Sequence, residues 1–290
     1  MIKIHNNHSK LETMNFPDGE SFVKFNYDGK PLTIVWQYEN DSEIMTLGQI
    51  YSILQNHDLS LVPKIKLYIP YFPHARQDRH TTNDQPFSLC VMLQILKSFV
   101  VHTSIYVLDI HSDEIYQHVD SRDNVGLIQS IVSSEFAHHL SDIKIDAILC
   151  PDNGAKRRAR EWAKVLKTPI VYCSKNRDPE TGKLSLPTID DGSLNVLAKS
   201  SRLLMVDDIG TGFGTHIMIG EMVKKLNPAV KLDLWVSHSS FTRGAALVLS
   251  VFDTVFTTNS LISGYSARTN NCNKIITFDC LSVLPNDPKN

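Results

Sequence analysis

Residues 202–215 constrain the fold and the chemistry of this chain more than any other segment. An apolar run, RLLMV, leads into two adjacent carboxylates, Asp207 and Asp208, and a glycine-broken stretch, GTGFGT, follows at 210–215. Apolar residues then recur at the i, i+3, i+4, i+7 spacing of a helix, from Ile219 to Leu226. This order is typical of a pocket for a phosphorylated sugar, because carboxylates bind hydroxyl groups and a helix N-terminus favours phosphate.

Two other interpretations of this segment stay open from the residues alone. The carboxylates suit a magnesium-bound group as well as ribose hydroxyls. Alternatively, the segment is an ordinary strand-to-helix turn with an acidic residue near the helix start. It is not a Walker loop, because no Gly-Lys-Ser or Gly-Lys-Thr follows the glycines.

The composition indicates a globular protein and excludes several classes of partner. The 290 residues are 42% hydrophobic and 21% charged, which is enough chain to bury one or two cores. The formal net charge of −2 gives no support for nucleic-acid binding, and no apolar run is long enough to span a membrane. The five cysteines form no Cys-x-x-Cys pair and the first ten residues lack a signal-peptide core, so we expect a cytoplasmic protein.

Short apolar runs alternate with helical periodicity along the chain, which predicts an α/β fold with mostly parallel strands. Strands are expected at Leu32–Trp36, Ile65–Ile69, Ser104–Leu108, Ala147–Cys150, Pro169–Tyr172, Leu203–Val206, Leu232–Val236, Thr254–Phe256 and Lys274–Thr277. Helices are expected at Glu43–Leu54, Phe87–Ser98, Leu127–Leu140, Ala155–Leu166 and Ile217–Leu226. A weak boundary after Asp142 separates an N-terminal domain, 1–142, from a C-terminal domain, 143–290, in which 174–193 is the most loop-like segment.

Polar residues follow several predicted strands, and the carboxyl ends of parallel strands meet at one edge of a sheet. They are Arg76, Gln77 and Arg79 after one strand, His111 after a second, Asp152 after a third, and Lys175 and Arg177 after a fourth. Arginine forks bind polyphosphate oxygens well. Each residue also has an ordinary explanation, such as a solvated charge cluster or an N-cap carboxylate. Their joint occurrence favours a site for a polyphosphate.

Taken together, these segments resemble the ribose-phosphate pyrophosphokinase family, which makes phosphoribosyl pyrophosphate (PRPP). The resemblance runs from FPDGE at 16–20 to TTNSL at 257–261, and its most specific part is PYFPHARQDR at 70–79. It implies two type I phosphoribosyltransferase-like domains and ATP-dependent transfer of a diphosphate group to the 1-hydroxyl of a 5-phosphorylated ribose, with release of AMP. It also implies Mg²⁺ as the cofactor and a homo-oligomer, either a dimer or a hexamer.

The resemblance assigns roles to individual residues as well. The catalytic residues, on a flexible loop over 174–193, would be Lys175 and Arg177. The residues near magnesium would be His111 and Asp152. ATP would be bound by Phe16, Asp18, Glu20, Arg76, Gln77, Arg79 and His111. The ribose phosphate would be bound by Asp207, Asp208, Gly210, Thr211, Gly212, Gly214 and Thr215.

The chain departs from the family in the loop that would hold the 5-phosphate. Thr211 stands where the family has a third aspartate, Gly212 replaces a threonine, and Phe213 sits between two glycines. Loss of a hydroxyl and gain of a glycine suit a ribose whose 5-phosphate continues into a larger group. Ribose 5-phosphate is the default acceptor, and ADP-ribose, used by relatives in phage NAD salvage, is the alternative. Phe213 either stacks on a base or faces the core.

A silent regulatory homologue is an alternative of a different class. Such a protein would bind nucleotide or assemble with an active enzyme without turning over substrate. The retention of Lys175, Arg177, Asp152 and the acidic pair argues against this alternative, because a protein without turnover does not need all of the family's site residues.

Overall fold

The computed structural model describes residues 1–5, 10–58, 64–118, 125–174, 187–261 and 272–283. The chain divides into two compact units, Met1–Ile131 and Val132–Val283, each with its own sheet. The predicted boundary after Asp142 lies further along the chain than this division. No helix among the described residues is long and apolar enough to cross a membrane.

The first unit is built on a five-stranded sheet and a separate hairpin. Its strands are β1 (Ile2–His5), β2 (Leu11–Asn15), β3 (Ser21–Phe25), β4 (Thr33–Trp36), β5 (Ile65–Ile69), β6 (Thr103–Leu108) and β7 (Val125–Ile131). Its helices are α1 (Glu43–Leu54), α2 (Ser88–Phe99) and α3 (Glu114–Gln117). The sheet order is β1-β4-β5-β6-β7, in which only β1 is antiparallel to its neighbour, and β2 pairs with β3 alone. Buried side chains of α1 and α2, such as Leu47 and Leu93, pack with Ile34 and Leu67 of the sheet in one apolar core.

The second unit is built on a seven-stranded sheet. Its strands are β8 (Ala147–Cys150), β9 (Ile170–Ser174), β10 (Thr188–Ile189), β11 (Arg202–Gly210), β12 (Lys231–Ser239), β13 (Thr254–Thr258) and β14 (Ile275–Phe278). Its helices are α4 (Lys156–Leu166), α5 (Asp191–Lys199), α6 (Gly214–Leu226) and α7 (Ala245–Leu249), and 3-10 turns cover Ser133–Leu140 and Cys280–Val283. The order is β10-β9-β8-β11-β12-β13-β14, in which only β10 is antiparallel.

Strand β12 shows that both faces of this sheet are covered. Its residues from Leu232 to Ser239 are all buried. Leu234 belongs to an apolar cluster that includes Ile219 of α6, whereas the next residue, Trp235, contacts Trp162 of α4 at a ring-centroid distance of 4.8 Å. Because successive side chains point to opposite faces of a strand, helices α4 and α6 lie on opposite sides of the sheet. The predicted α/β class with mostly parallel strands is confirmed.

The helix predicted over Leu127–Leu140 is wrong. The first part of this segment is strand β7, in register with β6 so that Ile131 lies opposite Leu108, and the second part is the 3-10 helix Ser133–Leu140. A short apolar run fits a buried strand as well as a helix, and only pairing with a neighbouring strand decides between them.

The segment predicted to be a loop, 174–193, is shorter than expected at both ends. Ser174 is the last residue of β9, and β10 pairs back on it with Thr188 opposite Ser174. Helix α5 then begins at Asp191. The remaining part, 175–186, lies outside the described residues.

Candidate active site

The acidic pair lies inside β11, and not after it as predicted. β11 continues through Asp207 and Asp208 because β12 pairs with it as far as Gly210, which lies opposite Ser239. Helix α6 begins at Gly214, three residues earlier than predicted, so only Thr211–Phe213 separates strand from helix. This short turn brings the carboxylates close to the helix N-terminus.

The turn takes its shape from Phe213. This residue has a left-handed backbone, with φ of 57°, and its ring is buried against Phe241 at a centroid distance of 5.1 Å. A Cβ atom on Gly210 would lie 2.3 Å from the Phe213 ring, so glycine at 210 provides space for the ring. Of the two expectations for Phe213, the core-facing one is confirmed.

Arg158 and His216 hold the acidic pair from two helices. The buried Arg158 guanidinium, on α4, lies 3.7 Å from Asp207 Oδ1 and 3.9 Å from Asp208 Oδ2. His216, in the first turn of α6, places Nε2 2.9 Å from Asp207 Oδ2. The backbone N–H of Asp208 donates to Asp207 Oδ1 at 3.0 Å. The two carboxylates therefore share one buried cation, and Asp207 is also held by a histidine.

This environment raises the pKa of Asp207. Burial is the main cause, because it disfavours the charged carboxylate, and the neighbouring charge of Asp208 acts in the same direction. The hydrogen bond from His216 and the charge of Arg158 oppose the rise. A carboxyl group held in this way is typical of functional sites rather than of ordinary surface charge.

Replacing Asp207 by asparagine should change stability in a pH-dependent way. The folded-state pKa of Asp207 lies above its unfolded value of about 3.9, so its contribution is complete below that pH and is lost as pH rises through the folded pKa. Asparagine does not titrate. The difference in urea midpoint between Asp207→Asn and the wild type should therefore shift in favour of the variant as pH rises above about 4. Asp142→Asn is the control, because Asp142 is an exposed aspartate. If the difference in urea midpoint between Asp207→Asn and the wild type does not change with pH, the prediction is wrong.

Asp152 occupies the turn between β8 and α4. Its Oδ1 accepts hydrogen bonds from the backbone N–H groups of Gly154 at 3.0 Å and Ala155 at 3.2 Å. This is the helix-start role that the sequence left open, and it fixes the orientation of the carboxylate. Since β8 is the parallel neighbour of β11, Asp152 lies at the same edge of the sheet as the acidic pair.

In the first unit, the predicted ATP-binding residues follow two parallel neighbours, β5 and β6. Arg76, Gln77 and Arg79 lie in the turns after β5, and His111 lies just after β6. Arg76 and His111 are exposed. The side-chain oxygen of Gln77 accepts a hydrogen bond from the hydroxyl of Ser88, the first residue of α2. The structure thus brings these four predicted residues to one edge of the five-stranded sheet.

Arg79 is paired with Asp78, which the sequence analysis did not single out. Nε and Nη2 of Arg79 each donate to a different oxygen of Asp78 at 2.9 Å. This pair holds the pKa of Asp78 down at about 2. Asp78 is buried while the Arg79 side chain is 74% exposed, so the carboxylate fixes the guanidinium with its remaining edge toward solvent.

Phe16, Asp18 and Glu20 lie at the tip of the β2–β3 hairpin rather than on the five-stranded sheet. The Phe16 N–H donates to the Glu20 carbonyl at 2.8 Å, and Asp18 Oδ1 accepts from the Glu20 N–H at 3.2 Å. The Phe16 ring is exposed and packs edge-on against Phe22. The implied role of this tip in a neighbouring subunit's nucleotide site stays a prediction.

The predicted catalytic residues, Lys175 and Arg177, lie outside the described residues. Sequence reasoning missed Arg158, His216 and Asp78 as parts of the site. Arg158 stands in the quoted run PDNGAKRR, and only its burial distinguishes it from its basic neighbours. His216 had no signal beyond its place just after the glycine-rich stretch.

Asp152 offers an oriented carboxylate to a metal ion. Within those residues, no three His, Cys, Asp or Glu side chains converge into a potential metal cage. Magnesium is usually bound by one or two carboxylates together with substrate phosphates, and not by a dedicated protein cage. The oriented carboxylate of Asp152 is consistent with that mode of binding.

Comparison with known proteins first defines the class of fold. No protein-family model matches the chain. The crystal structure of phosphoribosylpyrophosphate synthetase from Mycobacterium smegmatis superposes with a TM-score of 0.72 at 18% identity, and it covers 93% of this chain and 86% of that one. The chain therefore has the fold of that α/β synthetase.

Curated relatives then define the family. Ribose-phosphate pyrophosphokinase from Pyrococcus furiosus is 30% identical over 259 residues, which cover 87% of this chain and 86% of the relative. The protein of the same name from Thermococcus kodakarensis is 29% identical over 238 residues, 81% of this chain and 80% of the relative. This chain belongs to the ribose-phosphate pyrophosphokinase family and is an enzyme of the diphosphotransferase type.

Proposed function

We propose that this enzyme transfers a diphosphate group from ATP to the 1-hydroxyl of a 5-phosphorylated ribose and releases AMP, with ribose 5-phosphate as the default acceptor. The observation that supports this most is the edge of the seven-stranded sheet, where the acidic pair adjoins a short turn and the N-terminus of α6. Carboxylates accept hydrogen bonds from the vicinal hydroxyls of a ribose, and the amides of a helix N-terminus bind a phosphate dianion. The names of the relatives agree with this acceptor.

On the acceptor side, each part of this edge has its own role in the proposal. Asp207 and Asp208 accept hydrogen bonds from the ribose hydroxyls, and Arg158 with His216 keeps the two carboxylates in place. The 5-phosphate is held by the turn and the first residues of α6, namely Gly210, Thr211, Gly212, Gly214 and Thr215. A buried, prearranged pair needs little reorganisation when the sugar binds, so the 1-hydroxyl is positioned for attack.

On the nucleotide side, the proposal assigns ATP to the edge formed after β5 and β6. Arg76 and Arg79 bind phosphate oxygens, Gln77 and His111 add polar contacts, and the hairpin residues Phe16, Asp18 and Glu20 contribute to an adenine site. The 1-oxygen of the ribose bonds to the β-phosphorus as the bond from that phosphorus to the AMP oxygen breaks, and the hydroxyl proton is released. Lys175 and Arg177 neutralise the charge on the transferring group.

Mg²⁺ belongs to the proposal as cofactor, with His111 and Asp152 as the residues nearest to it. When bound, magnesium offsets negative charge on the phosphate oxygens. A homo-oligomer, dimer or hexamer, is also part of the proposal and is tested by the mass of the protein in solution.

ADP-ribose is the second candidate acceptor, and the turn favours it. Position 212 has no side chain, and a Cβ there would lie in van der Waals contact with the side chain of Arg243, 3.5 Å from its Nε. The 5-phosphate of ADP-ribose continues into a second phosphate and an adenosine, and a glycine at 212 keeps that position free of a side chain of its own. The product would be ADP-ribose 1-pyrophosphate, a compound of NAD salvage.

An assay with two acceptors tests the proposed function. The enzyme is incubated with ATP and magnesium, in one tube with ribose 5-phosphate and in the other with ADP-ribose, and AMP release and product mass are followed. We expect AMP together with a product heavier than the acceptor by one diphosphate group in at least one tube. AMP without such a product contradicts the proposed transfer, and no AMP in either tube contradicts the proposal and favours the regulatory homologue.

A further inference from the structure

Arg243 lies across the turn that separates the acidic pair from α6. A Cβ atom placed on Gly212 would be 3.5 Å from Arg243 Nε and 3.6 Å from Arg243 Cδ. The arginine side chain therefore runs along the face of the turn at the position where Gly212 has no side chain. The sequence analysis did not single out this residue.

The backbone fixes the position of Arg243 relative to the turn. Both the N–H and the hydroxyl of Thr242 donate to the Thr211 carbonyl at 3.0 Å, and the N–H of Ser240 donates to the Gly210 carbonyl at 3.1 Å. The intervening Phe241 is fully buried in the core. The segment that carries Arg243 is thus tied to the turn on one side and to the core on the other.

The guanidinium of Arg243 is available to a ligand. The residue is exposed, and among the residues that the structure describes it forms no hydrogen bond and no ion pair. An arginine presents its donors as a rigid fork that matches two phosphate oxygens. An arginine that pairs with none of the described residues and lies beside the turn assigned to the 5-phosphate suits recognition of an anionic group at this point.

Burial along the site shows which part of the acceptor would meet this arginine. Asp208 is 5% exposed, so the ribose that it binds lies at the inner end, whereas Arg243 is exposed and lies at the outer end of the same turn. In the proposed function, the amides of the turn and of the first residues of α6 bind the phosphate attached directly to the ribose. A group beyond that phosphate extends outward, toward Arg243.

We propose that Arg243 is a specificity residue that binds the outer phosphoryl group of an acceptor whose ribose 5-oxygen carries a diphosphate. The inference rests on the proposed assignment of this turn to the acceptor's 5-phosphate. It concerns binding rather than chemistry, so it predicts a change in acceptor affinity with little change in kcat.

The test measures the affinity of two acceptors for Arg243→Ala. Titration calorimetry with the nucleotide site filled by α,β-methylene-ATP gives Kd for ADP-ribose and for ribose 5-phosphate, and the filled site prevents ADP-ribose from binding there. Loss of an arginine–phosphate contact should weaken ADP-ribose binding roughly ten- to hundredfold and ribose 5-phosphate binding by less than about threefold. Arg243→Lys should lie in between, because lysine keeps the charge but not the fork.

Lys225→Ala provides the matched control. Lys225 is an exposed cation in the last turn of α6, at the opposite end of the same helix, so its removal changes the net charge equally without touching the turn. Both Kd values should then stay at their wild-type levels. Equal losses of affinity for Arg243→Ala and Lys225→Ala would mean that acceptor binding depends on the net charge of the protein and not on contact with Arg243. That result would overturn the inference.

The remaining outcomes are also decisive. If Arg243→Ala weakens both acceptors equally, the residue contacts the inner phosphate or shapes the turn, and the inference is wrong. If neither affinity changes, Arg243 does not contact the acceptor. Failure of the proposed function is a separate result, because it appears as an absence of AMP and product in the wild-type assay, whatever the Kd values of the variant.

Discussion

Arg158→Met should lower the free energy of unfolding by about 3 kcal/mol, the largest stability loss that we expect from one substitution near the site. The Arg158 guanidinium is 3% exposed and lies within 3.9 Å of carboxylate oxygens on both Asp207 and Asp208. Methionine fills much of the same volume but leaves two neighbouring, mostly buried carboxylates without a cation. Urea unfolding at neutral pH measures the loss.

The neighbouring Arg157→Met is the matched control. Arg157 is one residue away on α4, is partly exposed and pairs with Glu161 one helical turn later at 3.2 Å. Such a pair contributes about 0.5 kcal/mol or less. Equal losses in the free energy of unfolding for Arg158→Met and Arg157→Met would mean that the stability depends on the total charge of the helix and not on the contact with the acidic pair.

A double variant separates charge from packing. Asp207→Asn in the Arg158→Met background removes one of the uncompensated charges, so it should recover part of the lost stability. Arg158→Met should also weaken acceptor binding, because the pKa of Asp207 rises further when the opposing cation is gone. If Asp207→Asn recovers nothing, the loss in Arg158→Met comes from packing alone.

The central strands were predictable because the apolar sequence of each run and its buried position in the sheet both favour a strand. Ile65–Ile69 and Ala147–Cys150 are confirmed to the residue. Each is a short, mainly apolar run that is preceded by a charged residue, followed by proline and almost wholly buried, so the sequence pattern and the environment carry the same information. The helix Glu43–Leu54 is likewise confirmed to the residue.

The edge elements were missed because backbone pairing defines them more than apolar content does. β1 and β10 are short strands that pair antiparallel at the rims of their sheets. In strand β3 of the hairpin the side chains alternate between the two faces, since Phe22 is exposed whereas Val23 and Phe25 are buried. In the sequence this alternation is broken, because the apolar residues Phe22 and Val23 are adjacent, so hydropathy alone does not identify that strand.

The candidate site was predictable in its carboxylates but not in what holds them. Asp207 and Asp208 follow from their place at the end of an apolar run. Their contacts with Arg158 and His216 join three elements, and the histidine reaches Asp207 only because α6 begins directly after the left-handed Phe213. No sequence spacing encodes that turn, because it depends on the fit of the Phe213 ring over Gly210.

Lys175→Ala should lower kcat by roughly a thousandfold or more, the largest effect on turnover that we expect. Lys175 directly follows Ser174, the last residue of β9, and β9 is the parallel neighbour of β8, which leads to Asp152. Ser174 therefore ends β9 at the edge of the sheet that carries the acidic pair, where the proposed function assigns Lys175 its role. A cation there can neutralise the charge that moves with the transferring diphosphate group.

ATP binding should be nearly unchanged in Lys175→Ala, because the proposed nucleotide contacts lie in the first unit. The measurement combines single-turnover AMP release with ATP affinity from calorimetry. Lys199→Ala is the control, since it removes an exposed lysine from the last turn of α5 in the same unit and should leave both values unchanged. If Lys175→Ala keeps its turnover, the assigned loop takes no part in the chemistry.

A loss of turnover with ATP binding intact would distinguish a working diphosphotransferase from a silent homologue, because a silent protein has no turnover to lose.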